Sequence, residues 1–365
     1  MKAIAIICEY NPFHNGHLAL INNIKKEYPQ KPIICFMSGE FVQRGEIAAI
    51  SAHERAKTAV LCGADAVIEI PTAYTLAPAE KYAECTLRLI AKTDLADTVA
   101  FGSELGSIEK LSEISLVADK PEFEERLSAS LLQNTYPKAR AAAFQSFGID
   151  TSIIESPNNI LAIEYISAIR RNKLPLTPIT FKRTSGENII SATQIRGGMD
   201  SSKYMPESAC EIYKNADRRD EKRIERLVLS KLCDISGDFA DVPDDFLKRI
   251  VKSARESATL DEYFEKLSVK QYTKARLRRM TYCVALSVKK DEWSELPTYI
   301  KLLAANKKGT SAISKSSLPI LSRYSAAEDK EFFEREAKRD LLAYMAEESP
   351  VSLSDMYNIK PYIQE

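Results

Sequence analysis

The feature that most limits the fold of this chain is an alternation of short apolar runs with helical patterns between Ala3 and Phe101. Ala3 to Cys8 reads as a buried strand, and Leu18 to Lys26 as a helix with Leu20, Ile21 and Ile24 on one side. Pro32 to Met37 is a second strand, followed by a polar, glycine-containing loop from Ser38 to Gly45. A helix from Ala52 to Cys62 leads to a third strand, Ala66 to Ile70, closed by Pro71. Lys81 to Lys92 is helical and Asp97 to Phe101 is a fourth short strand. Continuous apolar strands alternating with helices predict a parallel sheet covered on both faces. Ligands of such sheets bind outside the carboxyl ends of the strands, so the loops after strands one, two and four are expected to face one crevice.

From Lys110 to Arg170 the pattern is mostly helical, with breaks at Pro121, Pro137 and Ser156-Pro157. A further strand, Thr177 to Arg183, is expected to return to the sheet before Ser191. Beyond Gly197-Gly198 the chain reads as successive amphipathic helices with no strand, so a boundary is placed near Asp200. The expectation is an α/β, Rossmann-like parallel-sheet domain over residues 1–200 and an all-helical domain over residues 201–365.

Composition excludes some classes. Lys plus Arg equals Asp plus Glu at 51 each, which argues against a protein held to nucleic acid by its overall charge, though a local basic patch is compatible with it. The seven cysteines stand singly, with no C-x-x-C pair, and read as reduced, buried thiols of a cytoplasmic protein. The apolar amino terminus is too short for a signal peptide and no stretch is long enough to span a membrane, so a soluble, cytoplasmic protein is expected.

The segment Asn11-Pro12-Phe13-His14-Asn15-Gly16-His17 follows the first strand and opens the first helix. Only three histidines exist in the chain, and two of them lie three residues apart here. That spacing turns both imidazoles towards one side near the helix start. Gly16 lets a ligand approach the backbone, and unpaired N–H groups at the helix start attract anions. The pattern predicts a phosphate cradle; a zinc site would need further ligands, so no protein-held metal is assigned. Ser191 followed by Gln194 is a capping-box pattern that would leave backbone N–H groups and Arg196 facing a phosphate chain.

His14-Asn15-Gly16-His17 after a strand resembles the H-x-G-H signature of the nucleotidyltransferase superfamily, and Ser191, Thr193 and Arg196 match its S-x-T-x-x-R element. The longer string from Glu9 to His17 resembles the bacterial tRNA(Met) cytidine acetate ligase family. Further segments resemble that family in order: Ser38 to Gly45, Phe101 to Glu104, Pro157 to Leu161, Ser191 to Arg196, Tyr272 to Arg279 and Asn306 to Gly309. The lysine-rich K-M-S-K-S loop of aminoacyl-tRNA synthetases is absent.

The resemblance implies an enzyme that activates acetate with ATP as acetyl-adenylate, then acetylates N4 of the wobble cytidine of elongator tRNA(Met); phosphate chemistry by itself adds the expectation of Mg²⁺ bridging the phosphate oxygens. The resemblance assigns His14, His17 and Arg196 to catalysis. It places ATP along Ile7, Cys8, Glu9, Tyr10, Asn11, Pro12, Phe13, His14, Asn15, Gly16, His17 and Leu18, with Gly102, Asn158, Asn159, Arg183, Ser191, Thr193 and Arg196. It gives tRNA contact to Lys274, Arg276, Arg278, Arg279, Lys307 and Lys308, in the region after residue 200.

Each residue also has a plainer reading. Gly102 is a nucleotide-clearing position or a routine turn; Asn158 and Asn159 read the nucleotide or cap a helix. Arg183 ends a strand on the ligand side, and Gln43 and Arg44 orient a small carboxylate or form a surface loop. His53 reads as structural. The basic run from Lys270 to Arg279 lacks acids in its own segment and is a solvated face or an RNA contact. Two rival functions remain at this level: a metabolite adenylyltransferase making a dinucleotide cofactor, and a non-catalytic nucleotide-sensing RNA-binding protein.

Overall fold

The computed structural model describes residues 1–183, 190–198, 201–323 and 329–365. Asp200, where the boundary was placed, lies outside them. The expected strands form and are joined by others: β1 (Ala3–Cys8), β2 (Ile33–Ser38), β3 (Phe41–Val42), β4 (Glu46–Ile47), β5 (Ala66–Ile70), β6 (Ala96–Ser103), β7 (Thr177–Lys182), β8 (Ile300–Asn306), β9 (Ile320–Leu321) and β10 (Tyr362–Gln364). The main sheet runs β10-β8-β5-β2-β1-β6-β7, with β9 beside β8. Every neighbouring pair is parallel except β5 and β8.

Strand order reverses at β1, which lies between β2 and β6. The loops after β1 and β6 therefore leave in opposite directions and open a crevice at the carboxyl ends. The helix α1 (Asn15–Glu27) begins there, with Ile21 and Ile24 fully buried against the sheet. The helix α2 (Ala52–Leu61) follows the β3–β4 hairpin, which occupies the expected Ser38–Gly45 loop and the residues just after it. Pro121, Pro137 and Pro157 each stand in the first turn of a helix, where the missing N–H costs nothing, so the expected breaks are real.

The expectation that no strand follows residue 200 is corrected. Ile300–Asn306 is almost wholly buried and adds antiparallel to β5, and Tyr362–Gln364 adds to it in turn. A short apolar run such as Ile-Lys-Leu-Leu-Ala-Ala reads equally well as a buried helical turn, and only the free edge of β5 decides for a strand. The rest of the region is helical, including Glu207–Asn215, Asp244–Arg255, Lys274–Ala285 and Lys330–Tyr344.

Buried ion pairs tie the late helices to the sheet. Arg219 bridges Glu40 at 2.5 Å and Glu347 at 2.8 Å, all three nearly inaccessible. Lys301 of β8 bridges Glu69 at 2.8 Å and Asp340 at 3.3 Å. All seven cysteines are free thiols, Cys8 and Cys233 partly buried and the others buried. Among the described residues no helix is long and apolar enough to cross a membrane.

Candidate active site

Tyr10, with φ 47°, turns the chain as it leaves β1, and Phe13 and His14 beyond it are buried. His14 is the N-cap of α1 and His17 its third residue, and the two side chains form a reciprocal capping box. Gly16 N–H donates to His14 Nδ1 at 3.0 Å and His14 N–H donates to His17 Nδ1 at 3.2 Å. Both Nδ1 atoms are therefore acceptors, which assigns the proton of each neutral ring to Nε2. The rings stack with centroids 3.7 Å apart, and Tyr10 and Phe13 close round His17 at 4.8 and 5.5 Å.

Burial, reinforced by Arg183, pushes His14 down to about 4, and burial with His14 and Arg183 pushes His17 well below the ordinary histidine value. Two rings in such contact cannot both hold a charge. At neutral pH the pair is two aligned N–H donors without charge, pre-placed for an anion.

Across the crevice stand Gly102 and Arg183, so that Gly16, His17, Gly102 and Arg183 line one cleft. A Cβ on Gly102 would come within 3.1 Å of Arg183 Cγ. Arg183 lies 3.9 Å from Glu104, which also accepts Asn158 Nδ2 at 2.6 Å and Asn159 N–H at 3.1 Å. The Asn159 carboxamide is buried and bonded to Leu105 N–H and Ile153 O. The two asparagines thus hold the loop after β6, and Asn158 stands one carboxylate away from Arg183.

The second motif closes onto the first. Ser191 and Gln194 form the expected capping box. Arg196 donates to the Asn11 carbonyl at 2.6 Å and pairs with Glu46 at 3.2 Å, with Thr193 Oγ1 at 3.4 Å. Asn11 Oδ1 accepts Ala49 N–H, which locks this corner to the chain after the hairpin.

Sequence reasoning missed Arg55. It is fully buried and donates to the carbonyls of Glu9, Ser38, Gly39 and Ile50, stitching the exits of β1 and β2 together. An arginine inside an otherwise apolar α2 face was the available signal. Glu9 accepts Gln43 N–H at 2.7 Å, joining the motif to the hairpin. Burial, the main cause, pushes Glu9 upward. Among the described residues no group of three or more His, Cys, Asp or Glu is placed to hold a metal ion.

A match to the HIGH Nucleotidyl Transferase family runs over residues 1–356. The chain belongs to that family. Within it the chain stands among the tRNA(Met) cytidine acetate ligases. The protein of that name from Acetivibrio thermocellus is 31% identical, covering 89% of each chain. The one from Thermosipho africanus is 34% identical, covering 88% of this chain and 85% of its own. A crystal structure of Thermotoga maritima TmcAL bound with alpha-thio ATP, 26% identical, matches with a TM-score of 0.85 over 100% of this chain and 99% of the other.

In this nucleotidyl transferase the basic run Lys274 to Arg279 packs against the hairpin by the crevice: Arg278 Nε donates to Gly45 O at 3.1 Å. Gly45, with φ 72°, leaves no room for a Cβ, which would meet the Arg279 nitrogen at 2.5 Å. The run that lacks acids locally finds them in the fold. Asp241 lies 3.0 Å from Arg276 and 3.6 Å from Arg279, and Glu221 lies 2.5 Å from Arg278. Lys274 remains exposed.

Lys307 and Lys308 open a helix capped by Asn306. Lys308 donates to Lys31 O and lies 3.8 Å from Asp65, residues that precede β2 and β5. The two lysines are therefore at the amino ends of the strands, roughly one strand length (about 17–20 Å) from the histidine pair.

Proposed function

We propose that the protein is an ATP-dependent ligase that joins acetate to N4 of the wobble cytidine of elongator tRNA(Met), acting in the cytoplasm. The observation that carries this reading is the stacked, uncharged His14–His17 pair at the α1 start, facing Arg183 across the β1–β6 crevice. The names of the relatives and the nucleotide-bound neighbour support the same assignment.

In the first step a carboxylate oxygen of acetate attacks the α-phosphorus of ATP and pyrophosphate leaves. That displacement needs alignment and charge stabilisation rather than proton transfer. His14 and His17 donate Nε2–H to the phosphate oxygens, and Arg183 and Arg196 supply positive charge, Arg196 exchanging Glu46 for phosphate. Mg²⁺ enters with the ATP phosphates as part of the substrate. In the second step the cytidine N4 attacks the acetyl carbonyl, AMP leaves, and a proton is lost to solvent or to a neighbouring carboxylate. The region after residue 200, with Lys274, Arg276, Arg278 and Arg279 beside the hairpin and Lys307 and Lys308 at the far edge, holds the tRNA.

The test is acetate incorporation. Labelled acetate is expected to enter elongator tRNA(Met) only with ATP, Mg²⁺ and protein together. No label in tRNA, with pyrophosphate released from ATP only when a mononucleotide phosphate is supplied and without RNA, would favour the cofactor adenylyltransferase, and no ATP turnover at all the nucleotide-sensing RNA binder.

A second expectation concerns the cleft wall. Gly102→Val brings branched carbon against Arg183, where even a Cβ is already at 3.1 Å. The KM for ATP is expected to rise at least about tenfold, while Gly102→Ala, which the flexible Arg183 stem can accommodate, stays within a few-fold. Equal KM values for wild type and valine variant in steady-state assays would refute this.

A further inference from the structure

A second, larger cleft of about 500 Å³ lies between the helices that follow β6 and the basic helix Lys274–Ala285. It adjoins the nucleotide crevice through Gln43, whose side chain lines it and whose backbone N–H is held by Glu9 at the end of β1. The apolar part of its wall comes from Pro78, Pro137, Ile154 and Ile160. Tyr136, at the start of the helix Tyr136–Gln145, lines this space and is 44% exposed.

The polar lining mixes both signs. Arg140 and Glu164 form a buried pair at 2.5 Å, and Asp241 sits between Arg276 and Arg279. In the second cluster the Nε of Arg276 and of Arg279 are buried without a hydrogen-bond partner among the described residues, and Asp241 Oδ2 has only the Arg279 guanidinium at 3.6 Å, longer than a hydrogen bond. Buried polar groups of a finished site are normally satisfied, so unsatisfied ones lining a cleft point to a ligand that completes them.

Carboxylates and guanidinium groups nearly balance, which disfavours a polyphosphate. A flat, neutral ring carrying both donors and acceptors fits: amino groups to the carboxylates, ring nitrogen and carbonyl oxygen to the guanidinium groups, and its face on Tyr136. We propose that this cleft takes up an unstacked base of the RNA substrate, read on its edge by Asp241, Arg276 and Arg279 and stacked on Tyr136. This rests on the ligase reading above.

The measurement pairs RNA binding with a reaction that needs no RNA. Tyr136→Ala is expected to weaken elongator tRNA(Met) binding about tenfold in fluorescence anisotropy, and Tyr136→Phe to bind within about twofold of wild type. Acetate-dependent ATP–pyrophosphate exchange should keep its wild-type rate in both. Wild-type tRNA affinity in Tyr136→Ala would overturn the proposal. A fluorescent cytosine analogue placed singly at each anticodon-loop position gives a second readout. A signal that depends on Tyr136 supports the proposal and identifies the base, the acetylated cytidine itself or a neighbour. No Tyr136-dependent signal at any position overturns it. Absence of exchange in the wild-type protein would instead bring down the ligase reading and leave the binding result standing.

Discussion

Replacing both His14 and His17 by alanine is expected to lower acetate-dependent ATP–pyrophosphate exchange by at least about a thousandfold, with each single change costing roughly a hundredfold. The double loss should be smaller than the product of the singles, because each ring is oriented by the other: His14 caps the helix through Gly16 N–H, and His17 holds His14 N–H. The cap itself contributes only about 1 kcal/mol, so the variants should remain folded by circular dichroism while turnover disappears. The pH dependence follows from the same geometry. His14 is held at about 4 by burial and Arg183, and His17 is also depressed. Their contribution to stability is present above the ordinary histidine range and is lost as pH falls towards 4. In the free enzyme kcat/KM should therefore show no histidine titration between about pH 6 and 8. An inflection near pH 6.5 that disappears in His14→Ala would show a charged, ordinary imidazole and contradict the donor assignment.

The second large effect is on stability. Arg219→Ala should cost about 3–5 kcal/mol, because it leaves the fully buried Glu40 with much of its compensation removed. Glu40 also caps α2 through Ala52 N–H, and Arg219 is the bond between the β2 exit loop and the chain after Glu207–Asn215. Burial alone would push Glu40 upward, but Arg219 and Arg55 outweigh it and hold the carboxyl at about 2. Its contribution is present above the ordinary carboxylate value and disappears as pH falls towards 2. Glu347, on the other side of Arg219, is raised by burial to about 7, so its contribution has the opposite sign and is lost as pH rises through 7. In Arg219→Ala the acid loss of stability should reverse, since an unpaired Glu40 gains from protonation. Thermal melts between pH 3 and 8 decide it: a melting temperature within about 2 °C of wild type, or an unchanged acid limb, would show that the pair contributes little.

The sheet as far as β7 was legible in the sequence because its strands are continuous apolar runs between turn signals, a pattern set locally by burial on both faces. The β1–α1 corner was legible too, since Ala3–Cys8 ends as a strand and α1 starts at Asn15, directly after His14. The capping box at Ser191 needed only four residues of chain. What lay beyond reach depended on distant partners. Ile300–Asn306 became a strand because β5 offered an open edge. Arg276, Arg278 and Arg279 lost the look of a free basic face once Asp241 and Glu221 stood beside them. Arg55 became the clamp of the site only when the carbonyls of Glu9, Ser38 and Gly39 converged on it. Local pattern determined the main-sheet strands as far as β7, the helix starts and the caps, because those depend on spacing along the chain. Tertiary structure alone decided which charges are neutralised and which cleft stays unfilled, because in a low-dielectric interior a charge takes its meaning from whatever the fold brings within a few ångströms of it.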